Sequence, residues 1–82
     1  MIRCVYAIKD LKSTFWQPFC HHNDQSATRE FANMVNADNV VSQNPGDFEL
    51  WNLGTYDDQT GTLTSSPVFV VAATALKKVI DA

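Results

Sequence analysis

Hydrophobic and polar positions alternate at the start of the chain. Ile2, Cys4, Tyr6 and Ile8 fall on one side, with Arg3, Val5, Ala7 and Lys9 on the other. A period of two in β-branched and aromatic residues predicts a strand with one face turned to a core. The next stretch, "KSTFWQPFCHH", has no clean period. Pro18 excludes a helix interior or a central strand, so the pattern predicts an irregular or edge segment presenting Phe15, Trp16 and Phe19. The period then changes. Ala27, Phe31, Met34 and Val35 follow the i, i+4, i+7, i+8 spacing of one helix face, while Arg29, Glu30 and Asn33 fall outside it. Asn23, Asp24 or Ser26 supplies the N-cap. Asn36, tolerant of the left-handed conformation, ends the helix.

Alternation returns after "SQNPGD", read as a type II turn with Pro45 second and Gly46 third. Phe48, Leu50 and Asn52 point one way, and Glu49, Trp51 and Leu53 the other. "TLT" after Gly61 reads as a short strand, and "VFVV" as a buried one. Helix formers follow, and Leu76, Val79 and Ile80 give them a short apolar face. The predicted fold is α+β: a small, mainly antiparallel sheet, one main helix over about residues 25–36 packed on one face, and a short C-terminal helix.

Composition sharpens this picture. The chain has 82 residues, 45% hydrophobic and 18% charged, which fits one small globular domain spanning 1–82. A domain of this size buries only about 60–65% of the surface its unfolded chain exposes. That thin margin favours self-association, so a homo-oligomer is expected. No apolar run approaches the roughly 20 residues of a membrane span, and "MIRCVYAIKD" lacks the apolar stretch of a signal peptide. The expectation is a soluble intracellular protein with no membrane partner. Cys4 and Cys20 read as free, partly buried thiols.

The net charge of −3 counts against a generic nucleic-acid binder, but the charge is uneven. Residues 1–35 hold Arg3, Lys9, Lys12 and Arg29 against three acids, whereas residues 36–64 hold Asp38, Asp47, Glu49, Asp57 and Asp58 and no base.

Two strings invite a chemical reading. In "LGTYDDQTGTL", Asp57 and Asp58 are adjacent, and neighbours at a turn do not face one reacting bond as an acid/base pair must. A calcium loop needs a glutamate at its twelfth position, and none follows. The string reads as a hairpin turn, with an aspartate accepting from a backbone N–H two residues on and Gly61 left-handed. In "CHH", Cys20, His21 and His22 are consecutive, whereas zinc needs about four converging ligands. No nucleophile elbow, phosphate-cradling loop or metalloprotease helix is present. No metal, cofactor or catalytic residue is assigned, and the chain is read as a binding protein rather than an enzyme.

Binding chemistry gathers in the N-terminal third. Phe15, Trp16 and Phe19 lie close in sequence to Lys9, Lys12 and the two histidines. Single-stranded nucleic-acid binders combine stacking rings with cations in this way, at about 1–3 kcal/mol per stacked base. The rings can equally complete a small core, and Trp51 and Tyr56 pose the same choice.

The strings "QPFCHHNDQSATREFANMVN" and "NPGDFELWNLGTYDDQTGTL" also carry a resemblance. Tyr6-Ala7-Ile8 with Asp10, Gln17-Pro18-Phe19, then Ala27, Arg29, Phe31, Val35 and Asn36 occur in order. Pro45, Asp47, Phe48 and Leu50 follow, then Gly54, Tyr56, Asp57, Asp58, Thr60 and Gly61. Together they resemble the small non-structural protein of gokushoviruses, which are tailless single-stranded-DNA phages of the microvirus group. The resemblance implies a DNA-binding protein acting where single-stranded genomes are made and packaged, in the host bacterial cytoplasm. On this reading Lys9, Lys12 and Arg29 pair phosphates while Phe15, Trp16 and Phe19 stack bases. The alternative is an acidic homo-oligomeric interaction module whose hairpin binds a phage replication or capsid protein, or a host factor.

Overall fold

The computed structural model describes residues 1–78. Strand β1 (Ile2–Asp10) is followed by a short edge strand β2 (Phe19–His21) and the helix α1 (Asp24–Val35). One turn of helix, α2 (Val40–Gln43), leads through a 3₁₀ turn at Pro45–Asp47 into β3 (Phe48–Asp57). Strand β4 (Leu63–Ala72) and a last helical turn, α3 (Ala73–Leu76), complete the order. The four strands form one antiparallel sheet in the order β2-β1-β3-β4. The α+β architecture with one main helix is therefore as the periodicities predict.

The helices share one face of the sheet. Ala27, Phe31 and Val35 of α1, Val41 of α2 and Ala73 of α3 bury themselves against Tyr6, Ile8, Phe48 and Leu50. Register explains the match: Ile8 lies opposite Leu50 and Tyr6 opposite Asn52, so alternate residues of both strands point the same way. Burying each large side chain contributes roughly 1.5–3 kcal/mol. Ile2 belongs to the same face by alternation but lies beyond the helical cover and is exposed.

Polar contacts cap α1 and tie it to the sheet. The N-cap is Asn23, whose side chain accepts from the Ser26 amide at 2.8 Å. Asp24, the first helical residue, accepts from the Tyr6 hydroxyl at 2.6 Å and from Asn52 Nδ2 at 3.2 Å. Burial of Tyr6, and then its donation to this carboxylate, push the phenol far above its ordinary range, so it stays a donor at any working pH. At the other end Asn36 is not left-handed; its φ is −103°. Its side chain ends the helix instead, donating to the carbonyls of Ala32 at 2.8 Å and Leu76 at 3.0 Å and accepting from the Lys78 amide at 2.8 Å.

Three other local expectations change. Pro45 and Gly46 form a 3₁₀ turn without positive φ, because the fixed φ of proline suits the first position of such a turn. α2 itself is set by Asn39 and Ser42, which bond reciprocally as a capping box. "TLT" and "VFVV" join into one ten-residue strand, with Pro67 inside it. Proline is tolerated because β4 is an edge strand and Pro67 sits where the β3–β4 register shifts. As an edge, "VFVV" is not buried: Val68 is 56% exposed. The C-terminal helix spans one turn, and the expected contributions of Val79 and Ile80 lie outside the described residues.

Both ladders of β3 slip at Leu53, which has no partner in β1 or β4. Asn52 accepts the Gly54 amide at 2.9 Å beside this bulge. Gly54 has a φ of 138°, and a Cβ there would stand 1.9 Å from the Thr64 carbonyl oxygen. Only glycine lets the hairpin strands close up at this point.

Candidate nucleic-acid interface

Among the described residues no helix lies on the second face of the sheet, and aromatic rings gather on it. A tight turn begins the site. Asp10 and Thr14 close it through Asp10 N–H to the Thr14 carbonyl at 3.0 Å, and the Asp10 side chain accepts the Lys12 amide at 3.0 Å. The chain then runs back along β1, with Phe15 opposite Lys9 and the Trp16 amide donating to the Ile8 carbonyl at 2.8 Å. Alternation separates the neighbouring rings. Phe15 shares the open face with Lys9, whereas Trp16 turns to the helical side and packs edge-on against Phe48, 5.2 Å between centroids.

On the open face Ala7 lies opposite Trp51, and Trp51 opposite Phe69. Phe15 meets Trp51 at 5.8 Å and 88°, and Trp51 meets Phe69 at 6.1 Å and 83°. These are edge-to-face contacts within the preferred aromatic range. The three rings form a stripe across β1, β3 and β4, with Phe15 37% and Phe69 47% exposed. Lys9 Nζ stands 5.4 Å from the Phe15 centroid and 5.0 Å from that of Trp51. A cation over exposed rings contributes about 0.5–1 kcal/mol. Glu49, also on this face, accepts the Trp51 indole N–H at 3.0 Å and fixes the ring's tilt. Ala7 is fully buried although no helix covers it, and its small side chain lets the rings lie close to the sheet. Past the bulge, Tyr56 pairs with Leu63 and joins Val5 along a shallow apolar hollow that continues the same face.

The structure distributes the six residues singled out from sequence. Lys9 and Phe15 meet on the open face, and exposed Lys12 lies in the turn between them. Phe19 lies opposite Tyr6 on the helical side and stacks on its ring, 6.1 Å between centroids. Trp16 and Phe19 line a 370 Å³ cleft there with Ile8, Phe31 and Met34. Arg29 is exposed on α1, beside Asn23, Gln25 and Ser26, on the side of the sheet away from the stripe. Phe69, hidden in a string that reads as a buried strand, completes the stripe. Its only sequence signal is Pro67 two residues before it, which marks an edge.

The acidic strings are engaged structurally. Asp57 Oδ1 accepts the Gln59 amide at 2.9 Å, its backbone pairs with Gly61 and Thr62, and Gly61 has a φ of 77°. Asp58 receives the Met1 ammonium at 2.8 Å and Arg3 Nε at 3.1 Å. The bond from the ammonium, and then that from Arg3, hold its carboxyl below the ordinary value. His21 bonds Ser26 Oγ at 2.7 Å and Glu30 at 2.5 Å, tying β2 to α1. Cys4 and Cys20 are free, and Cys20 is exposed rather than partly buried. They pair with His21 and Val5 respectively, so alternation sends the two thiols to opposite faces. Among the described residues no group of three His, Cys, Asp or Glu is placed to hold a metal ion, and no helix is long and apolar enough to cross a membrane.

Residues 4–76 match the family described as Phage ORF5 protein. No curated protein and no solved structure matches the chain.

Proposed function

The chain belongs to the phage ORF5 protein family, and from that premise we propose that it is a non-structural phage protein that binds single-stranded DNA on the open face of its sheet. The observation that carries this reading is the Phe15–Trp51–Phe69 stripe, uncovered by any helix among the described residues and overlaid by Lys9. Unpaired bases stack on such rings without regard to sequence, and alanine substitution of one ring costs about 1–3 kcal/mol. Lys9 and Lys12 supply the phosphate contacts. Trp16 and Phe19 act indirectly, by packing beneath the sheet, while Arg29 lies on α1, away from the stripe. The protein works by binding and performs no reaction of its own. The gokushovirus resemblance supports reading that binding as part of genome synthesis or packaging, in the host bacterial cytoplasm.

Stacking outweighs charge in this reading. Two lysines stand near the rings, Glu49 lies among them, and the whole chain is at −3. A generic electrostatic binder has many more free cations on one face. The test is fluorescence anisotropy of labelled oligo-dT at low and moderate salt, with folding checked by circular dichroism. Saturable binding that survives moderate salt supports the proposal. No binding by folded protein at low salt overturns it.

The alternative, an acidic module docking through its hairpin, draws less support from the geometry. Asp57 is occupied in closing the turn, and Asp58 in holding Met1 and Arg3.

A further inference from the structure

We propose that β4 is a self-pairing edge: it hydrogen-bonds antiparallel to β4 of a second copy, making one eight-stranded sheet. β4 forms one edge of the sheet and runs for ten residues, Leu63–Ala72. Among the described residues no strand pairs with its outward N–H and C=O groups. Folded proteins blunt such edges with charged side chains, prolines, bulges or very short strands; Leu63–Ala72 is ten residues long and contains no charged residue. Pro67 interrupts the edge at one of two β3–β4 register shifts, the other falling at Val70, and strand segments remain on either side of it. Exposed apolar side chains concentrate on the same strand: Leu63 is 73% exposed and Val68 56%, and Phe69 follows them.

Charge selects a second copy as the occupant. Two chains of net charge −3 repel in general, and an uncharged strand lets them approach with least like-charge conflict. Identical strands are also complementary by construction, because residue i meets j and j meets i about a two-fold axis. The domain is small and its sheet only partly roofed, so adding strands supplies stability that its own core does not.

The pairing has a consequence for the open face. A two-fold axis relating antiparallel strands stands perpendicular to the sheet, so both copies turn the same face to the same side. The two aromatic stripes then share one surface, with Phe69, the ring on the edge strand, nearest the seam. The pairing itself does not rest on what that face binds.

The test is light scattering after size exclusion across a wide concentration range, on the wild-type chain and on a Thr64→Lys, Val68→Lys double variant. Both positions are exposed on the edge strand, and register places them on the opposite side of the sheet from the stripe. The wild type is expected at twice its 9.2 kDa mass and the folded variant at the monomer mass. Should the variant fail to fold, amide exchange on the wild type decides: protection in β4 rises with concentration while that in β2 does not. A wild type that stays monomeric, a folded variant that still dimerises, or concentration-dependent protection confined to other elements overturns the proposal. Oligo-dT binding by a folded monomeric variant would leave the DNA reading standing by itself.

Discussion

Phe15 and Trp16 are adjacent in the chain and face opposite sides of the sheet, so equal substitutions at the chain's two tryptophans separate binding from stability. Trp51→Ala removes the central ring of the stripe. It is expected to weaken oligo-dT binding by about 5- to 150-fold, the equivalent of 1–3 kcal/mol, with a small change in melting temperature. Trp16→Ala takes a ring from against Phe48 and is expected to lower the melting temperature by more than Trp51→Ala does. Anisotropy and thermal unfolding of both variants check the pair. Asp58 gives a residue-scale prediction in pH. Its carboxyl is held below the ordinary 3.8 by the Met1 ammonium and Arg3. The stability it contributes is full above the unfolded value and is lost as pH falls through the lower folded value. Asp58→Asn should therefore lower the melting temperature at neutral pH and flatten its decline below about pH 4. Equal slopes for variant and wild type in an acid titration would contradict this.

At the scale of elements, the β3–β4 hairpin depends on one glycine. Gly54→Ala adds a methyl 1.9 Å from the Thr64 carbonyl oxygen, at a φ that side chains rarely adopt. The backbone strain alone is about 1–3 kcal/mol, and relieving the clash requires the strands to part. Urea denaturation should show a loss at the top of that range or beyond, and oligo-dT binding should weaken with it, because Trp51 and Phe69 lie on the two strands that separate. Elements also show what the chain makes legible. The period-two run of β1 and the period-3.6 run of α1 can be read because each spans several repeats with a clear apolar face. α2 cannot, since four residues hold no period and only the Asn39–Ser42 pair marks it. That β4 is one strand is not legible, because "SSP" separates "TLT" from "VFVV" and the tolerance of an edge strand for proline depends on strand order. The stripe is legible in Phe15 and Lys9, and Trp51 is open to either reading. Phe69 is hidden because "VFVV" has the composition of a buried strand, and only Pro67, two residues earlier, hints at an edge.

For the whole molecule, the balance of stacking and charge is the quantity to measure. Lys9 and Lys12 together release few counterions, so the slope of log affinity against log salt should lie near −1.4, about −0.7 for each neutralised phosphate. A slope several times steeper would move the binding surface away from the open face and onto cations elsewhere. The most direct measurement uses the tryptophans themselves. In a Trp16→Phe chain the sole remaining indole is Trp51, so its emission reports the centre of the stripe. Titration with oligo-dT should quench that emission saturably, along the same curve that anisotropy traces. A DNA complex seen by anisotropy with Trp51 emission unchanged would contradict base stacking on this face.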